Sequence, residues 1–124
     1  MDLNPYFKSI IENDITNVVI CNLQHEIIYM NPAAIKSYKK RGGEKLIGKS
    51  LLLCHNSDSC EKINRVVEWF GKDKKNNRIF AYHNPKQNKD VYMVALRDET
   101  GELIGYYEKH EYKNSETETP YNFN

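Results

Sequence analysis

Three β-rich runs stand in close succession in the last third of the chain: RIFAYHN (78–84), VYMVALRD (91–98) and ELIGYYEKHEY (102–112), parted only by the turn segments PKQNK and ETG. Short β-branched and aromatic runs joined by so few residues pair as an antiparallel meander, because a parallel crossover needs about a dozen residues or more. A second pair of such runs, VVICNL (18–23) and EIIYMN (26–31), lies near the other end, with Gln24-His25 between them as a tight hairpin turn. Two strands, an intervening helical stretch and three more strands predict an α+β domain. Its core is a five-stranded antiparallel sheet with helices on one face. Between sheet and helices a hollow remains, a natural place for a small ligand.

The helical segments follow from spacing and caps. Leu3, Phe7, Ile10 and Ile11 recur at helical intervals over 3–12, with Asn4 and Pro5 as cap and first-turn residue. Asn31-Pro32 opens NPAAIKSYKK, which Gly42-Gly43 ends; Asn31 is placed to cap it. A short turn, EKLIG, leads into LLLCHN. In SDSCEKINRVVEWFGKD, Ile63, Val66, Val67 and Phe70 form an apolar stripe behind a serine or aspartate cap, ending at Gly71. From Lys113 the polar KNSETETPYNFN reads as a disordered tail. The expected division is therefore an N-terminal amphipathic helix (1–15), one domain (16–112) and the tail (113–124).

Bulk properties exclude several classes. The 124 residues suffice for one core, and a net charge of +1 leaves no footprint for nucleic acid or an anionic membrane. No stretch approaches the ~20 apolar residues of a membrane span. MDLNPYFKSIIEND lacks the basic and apolar regions of a signal peptide, so the expected location is cytoplasmic. Cys21, Cys54 and Cys60, odd in number and without a pairing motif, fit reduced thiols.

Three stretches resemble the PAS domains. VICNLQHEIIYMNPAA is similar to that family's opening hairpin and Asn-Pro helix start. EKLIGKSLLLCH is similar to its Leu-Ile-Gly turn, and VALRDETGELIGYYEKHEY to its closing hairpin, with Arg97-Asp98, Gly101 and Gly105 in the usual places. Together they span about 16–112. The Cys54-His55 pair ahead of a polar helix start also resembles PAS modules fused to hemerythrin-like domains, a domain these 124 residues do not include. Two departures stand out: Asn22 and His25 replace the usual acid and glycine of the first hairpin. The closing strand runs into Glu111-Tyr112-Lys113-Asn114 instead of the acidic-Ile-Thr effector junction. The resemblance implies a sensor or adaptor module, and PAS domains bind haem, flavin, small carboxylates, fatty acids or nothing, so fold does not set the ligand.

Cys54, His55 and Cys60 invite sharper readings. Relatives that form a flavin photoadduct carry the reactive cysteine where this chain has Leu51, so light sensing through that adduct is not expected. Haem-binding relatives take an axial histidine from the long helix, and 56–70 contains none; His55, at its threshold, leaves haem as a less favoured alternative, with His83 and His110 on strands. Three ligands of which two are adjacent make a poor zinc site. A catalytic thiol needs an oriented base, and sequence neighbours point in different directions. The plain reading makes Cys54 a small wall residue, Cys60 a half-buried helix residue and His55 a contact of a backbone carbonyl. Arg97, Asp98, Glu99 and Glu102 read as solvated or locally paired.

In the register of the flavin-binding relatives, period-two alternation turns Val19, Cys21, Ile27, Tyr29, Met93, Ala95 and Tyr107 inward, with Phe80 and Tyr82 on the middle strand. Leu51, Cys54, His55, Ile63 and Val67 close the helical side. This lining predicts a small, largely apolar ligand with one polar end, or an empty packed core. The expected function is a non-enzymatic sensory module signalling through protein contacts, with a ligand-free dimerisation adaptor as alternative. Val18, Ile20, Tyr92, Val94, Ile104 and Tyr106 turn outward in this register. That apolar face and the N-terminal helix predict a homodimer, with a separate effector protein as a further partner.

Overall fold

The computed structural model describes residues 1–124 apart from the Cys54 side chain; the expectation that Cys54 lines the hollow lies outside the described residues. Helix α1 (Asn4–Glu12) precedes strands β1 (Val19–Asn22) and β2 (Ile27–Met30) and helix α2 (Pro32–Ser37). Single 3-10 turns at Lys39–Arg41, Gly43–Leu46 and Leu51–Cys54 lead to α3 (Ser57–Lys72). Strands β3 (Arg78–Asn84), β4 (Lys89–Arg97) and β5 (Leu103–Tyr112) complete one antiparallel sheet in the order β2-β1-β5-β4-β3. The predicted α+β architecture is present. No helix among the described residues is long and apolar enough to cross a membrane.

Asn31 does more than cap. Fully buried, it accepts from the Ala34 amide at 3.0 Å, starting α2, and from the Val18 amide at 2.9 Å, leading into β1. Its Nδ2 donates to the carbonyls of Ile11 and Thr16, both at 3.0 Å. One side chain thus joins the end of α1, the 13–18 connection, β1 and α2. At the other end of the sheet, half-buried Arg97 is paired with backbone carbonyls, some of them well beyond its own turn. Its guanidinium donates to the carbonyls of Phe70 (2.8 Å), Asn76 (3.2 Å) and Gly101 (3.2 Å), closing the end of α3 against the β4–β5 turn.

Several local expectations shift by a residue or more. The β1–β2 connection is four residues, 23–26; the Asn22 side chain accepts from the Gln24 and Glu26 amides at 3.0 Å, and His25 takes φ 64°. Asn56 rather than a serine or aspartate caps α3, accepting from Ser59 at 2.8 Å. Asp2 rather than Asn4 supplies the oxygen at the start of α1. Helix α2 gives way to 3-10 turns before Gly42 and Gly43, which take φ 125° and 56°. Lys89, read as a turn residue, belongs to β4 and is buried. Past Tyr112 the chain has no helix or strand, and Lys113 and Asn114 bond to Asn88 in the β3–β4 turn.

Bulges reset the alternation on three strands. The β1–β2 register shifts between Ile20 and Cys21, so Tyr29 pairs with Ile20 and faces away from the hollow, while Met30 faces into it. Tyr29 instead donates to the Glu12 carboxylate of α1. On β5, Cys21 pairs with Tyr106 and Ile20 with Tyr107, so Tyr106 turns inward and Tyr107 outward, the reverse of the expected parity. Val18, expected to face outward, is buried beneath Asn31. Gly105 explains the β1–β5 closeness: a Cβ there would lie 2.2 Å from the Cys21 carbonyl oxygen.

Two substitutions test these joints by urea denaturation. Asn31→Ala should cost about 3 kcal/mol or more, because it strands buried amides and carbonyls of three elements. Asn31→Asp should not rescue it, since a carboxylate faces the Ile11 and Thr16 carbonyls without a donor. Gly105→Ala should destabilise by about 2 kcal/mol or more by forcing β5 from β1.

Candidate functional site

The inward sheet face and the segment from α2 to the Leu51–Cys54 turn enclose a hollow of about 110 Å³. One side is apolar: Val19 and Cys21 from β1, Ile27 and Met30 from β2, and Leu46 and Leu51 from the 3-10 turns. The other is polar, with Tyr106, Glu108 and His110 at successive inward positions of β5, Tyr82 of β3 and His55 ahead of α3; Tyr38 and Arg41 also line it. An open groove of about 790 Å³ runs between α3 and the edge strand β3, walled by Ile63, Val66, Trp69, Ile79, Phe80 and Met93. His55, Tyr82 and Glu108 line both spaces. They stand between groove and hollow.

Of the expected lining, Val19, Cys21, Ile27, Leu51, His55 and Tyr82 meet in the hollow. Ile63, Phe80 and Met93 border the groove, and Val67 and Ala95 pack against the core beside them. Tyr29 and Tyr107 stand on the opposite sheet face. The sequence reading missed Met30, Tyr38, Arg41, Leu46, Tyr106, Glu108 and His110. Leu46 and Met30 were legible as apolar residues beside predicted turns. Glu108 and His110 were not, because in GYYEKHEY each alternating set has a tyrosine followed by two polar residues, Tyr106-Glu108-His110 and Tyr107-Lys109-Glu111. Only pairing with β1 and β4 chooses between them.

The polar groups differ in how they are satisfied. Tyr106 hydroxyl and His25 Nδ1 are hydrogen-bonded at 2.8 Å, with the rings edge to face. His55 donates from Nδ1 to the Leu51 carbonyl at 2.9 Å, the backbone contact expected of it. Cys60 donates to the Leu52 carbonyl across the same turn. Burial pushes the Cys21 thiol up to about 11, so it is no nucleophile at neutral pH. Burial also raises the Glu108 carboxyl, with His55 and Lys89 pulling the other way. His110 is 8% exposed and its Nδ1 has no hydrogen-bond partner. Burial, and then the Lys89 ammonium, lower it to about 4 and keep it neutral. No group of three His, Cys, Asp or Glu side chains among the described residues is placed to hold a metal ion.

No protein-family model matches the chain, and no curated protein matches it. Its architecture is the PAS fold. Among solved structures it is similar to the PAS domain of a protein from Colwellia psychrerythraea (TM-score 0.66, 15% identical), covering 90% of this chain and 98% of that one. It is also similar to a sensory box sensor histidine kinase from Vibrio cholerae (TM-score 0.59, 13% identical, 90% and 92% covered). The Aer2 receptor of Vibrio cholerae, a dual PAS-heme oxygen sensor, superposes at TM-score 0.52 with 18% identity, covering 77% of this chain and 91% of that one.

The unpartnered imidazole sets an acid limit. Unfolded, His110 titrates near 6.5; folded, near 4. Between these values the unfolded chain binds more protons, so stability falls as pH drops through the window, by up to about 3 kcal/mol. Glu108 works in the opposite direction: its proton is held above the usual carboxylate range, and that contribution is lost as pH rises. His110→Phe should therefore flatten the loss of stability between pH 6.5 and 4, measured by urea denaturation at each pH.

Proposed function

We propose that this chain is a sensory PAS module that takes a small molecule into the hollow past His55, Tyr82 and Glu108 and signals through protein contacts, without catalysis. The observation that carries the reading is the hollow itself, apolar on one wall and polar on the other, with His55, Tyr82 and Glu108 shared between it and the neighbouring groove. The sensor kinase and receptor among its structural relatives support the same role. The hollow is smaller than a benzene-holding cavity of about 150 Å³, which favours a ligand of a few heavy atoms. Haem is disfavoured on the same ground. The reading places the module in the cytoplasm.

Output is proposed to pass through a homodimer. Leu3, Phe7 and Ile10 stay 47%, 55% and 69% exposed on α1, so the stripe that a nine-residue helix needs to bury is uncovered within one chain. Ile28 and Ile104 are exposed as well. A second copy covering α1 would feel movement of the sheet through the Tyr29–Glu12 contact.

Two measurements test the reading. Denaturing mass spectrometry of purified protein, with an absorbance scan, should release a small organic molecule without a Soret band; a protein that neither carries nor binds one favours the ligand-free adaptor. Sedimentation should show a dimer for the intact chain and a monomer for a chain beginning at Asp14. An intact chain that stays monomeric at high concentration would rule the dimer out.

A further inference from the structure

The net charge of +1, taken over the whole chain, conceals an uneven division. Residues 36–49 hold six of the 18 basic side chains, Lys36, Lys39, Lys40, Arg41, Lys45 and Lys49, and one of the 17 acids, Glu44. The rest of the chain is left with twelve basic side chains against sixteen acids. This basic lobe runs from the end of α2 through the 3-10 turns Lys39–Arg41 and Gly43–Leu46 to Lys49, and all six basic residues are exposed. Arg41 has a partner of its own. None of the five lysines forms an ion pair among the described residues, in contrast to Lys62 and Lys72 of α3 and Lys109 and Lys113 at the end of β5. Glu26, bridged to Ser50 beside the lobe, accepts from Asn22 instead. Like charges in so short a segment repel one another, and a negative surface relieves that repulsion.

The lobe also presents apolar side chains. Leu46 turns into the core, and its neighbour Ile47 is left 44% exposed. Backbone hydrogen bonds from the Gly48 amide to the Ile27 carbonyl (2.7 Å) and from the Ile27 amide to the Lys49 carbonyl (2.9 Å) tie this segment to β2. Leu53, in the next 3-10 turn past Lys49, is 79% exposed. We infer that the lobe docks the protein on a bilayer surface carrying anionic lipid. The lysines meet the headgroup charges, and Ile47 and Leu53 reach the acyl boundary. Two features favour this occupant over a protein or a nucleic acid. Five of the six basic residues are lysine, a hydrated point charge suited to a diffuse anionic surface. Protein interfaces are depleted of lysine and favour arginine, whose fixed fork pairs with carboxylates. A phosphate backbone, in turn, has no complement for two exposed aliphatic side chains. The acidic remainder of the chain is repelled by the same surface, which orients the lobe toward it.

The test is co-sedimentation of the full chain with vesicles of phosphatidylcholine alone and with about one-quarter phosphatidylserine. The chain should bind the anionic vesicles at low salt, leave them as salt rises, and ignore the neutral ones. Lys39→Gln with Lys40→Gln should weaken binding about tenfold or more, since each lysine near the surface accounts for about fivefold. Ile47→Ser with Leu53→Ser should weaken it about tenfold without changing the salt dependence. Lys62→Gln with Lys72→Gln, which removes the same charge from α3, should change it by no more than about twofold. All six positions are exposed, so the variants keep the core. The inference fails if anionic vesicles bind no better than neutral ones, or if the α3 pair weakens binding as much as the lobe pair. It fails as well if the serine variant binds like the wild type. Duplex DNA or polyglutamate binding as tightly as the anionic vesicles would also overturn it, in favour of a nucleic acid or an acidic protein.

Discussion

The fold hangs on the buried side chain of Asn31. Its acceptor and donor ends serve four segments at once: α2 through Ala34, the entry to β1 through Val18, the end of α1 through Ile11 and the connection through Thr16. Amides and carbonyls in this corner have no ladder to join, so without the carboxamide they would be buried unpaired. Because the bonds fix where β1 begins, they also fix which of its residues face inward. Val19 and Cys21 become wall residues through that placement, and the hollow inherits its shape from it.

The polar wall of the hollow costs stability. An apolar residue at 110 would pack without leaving an imidazole nitrogen unsatisfied. Instead the wall carries an acid and a neutral histidine, each held away from its ordinary protonation behaviour by burial. The surrounding joints are correspondingly firm: Arg97 closes α3 against the β4–β5 turn, and Gly105 lets β5 approach β1.

Much of the architecture was readable in advance because it rests on local chemistry. Asn31-Pro32 announces a helix start, the Ile63, Val66, Val67 and Phe70 stripe announces α3, and the three closing runs announce a meander. What failed was parity. A bulge adds one residue to one strand and exchanges the faces beyond it, and nothing in EIIYMN or ELIGYYEKHEY marks where that residue falls. Tyr29 and Tyr107 therefore left the expected lining, while Met30 and Tyr106 entered it.

The amino-acid sequence by itself determined the order of elements, the antiparallel pairing, the cap at Asn31 and the existence of a hollow, since each follows from spacing, turn length and burial of apolar stripes. The tertiary structure alone decided that Glu108 and His110 line that hollow, that His55, Tyr82 and Glu108 stand on both hollow and groove, and that Phe7 and Ile10 of α1 stay exposed within one chain. The physical reason is long range. A strand with polar residues in both alternating sets has no preferred face of its own, and its neighbour 85 residues away, Cys21 against Tyr106, chooses it by hydrogen-bond register.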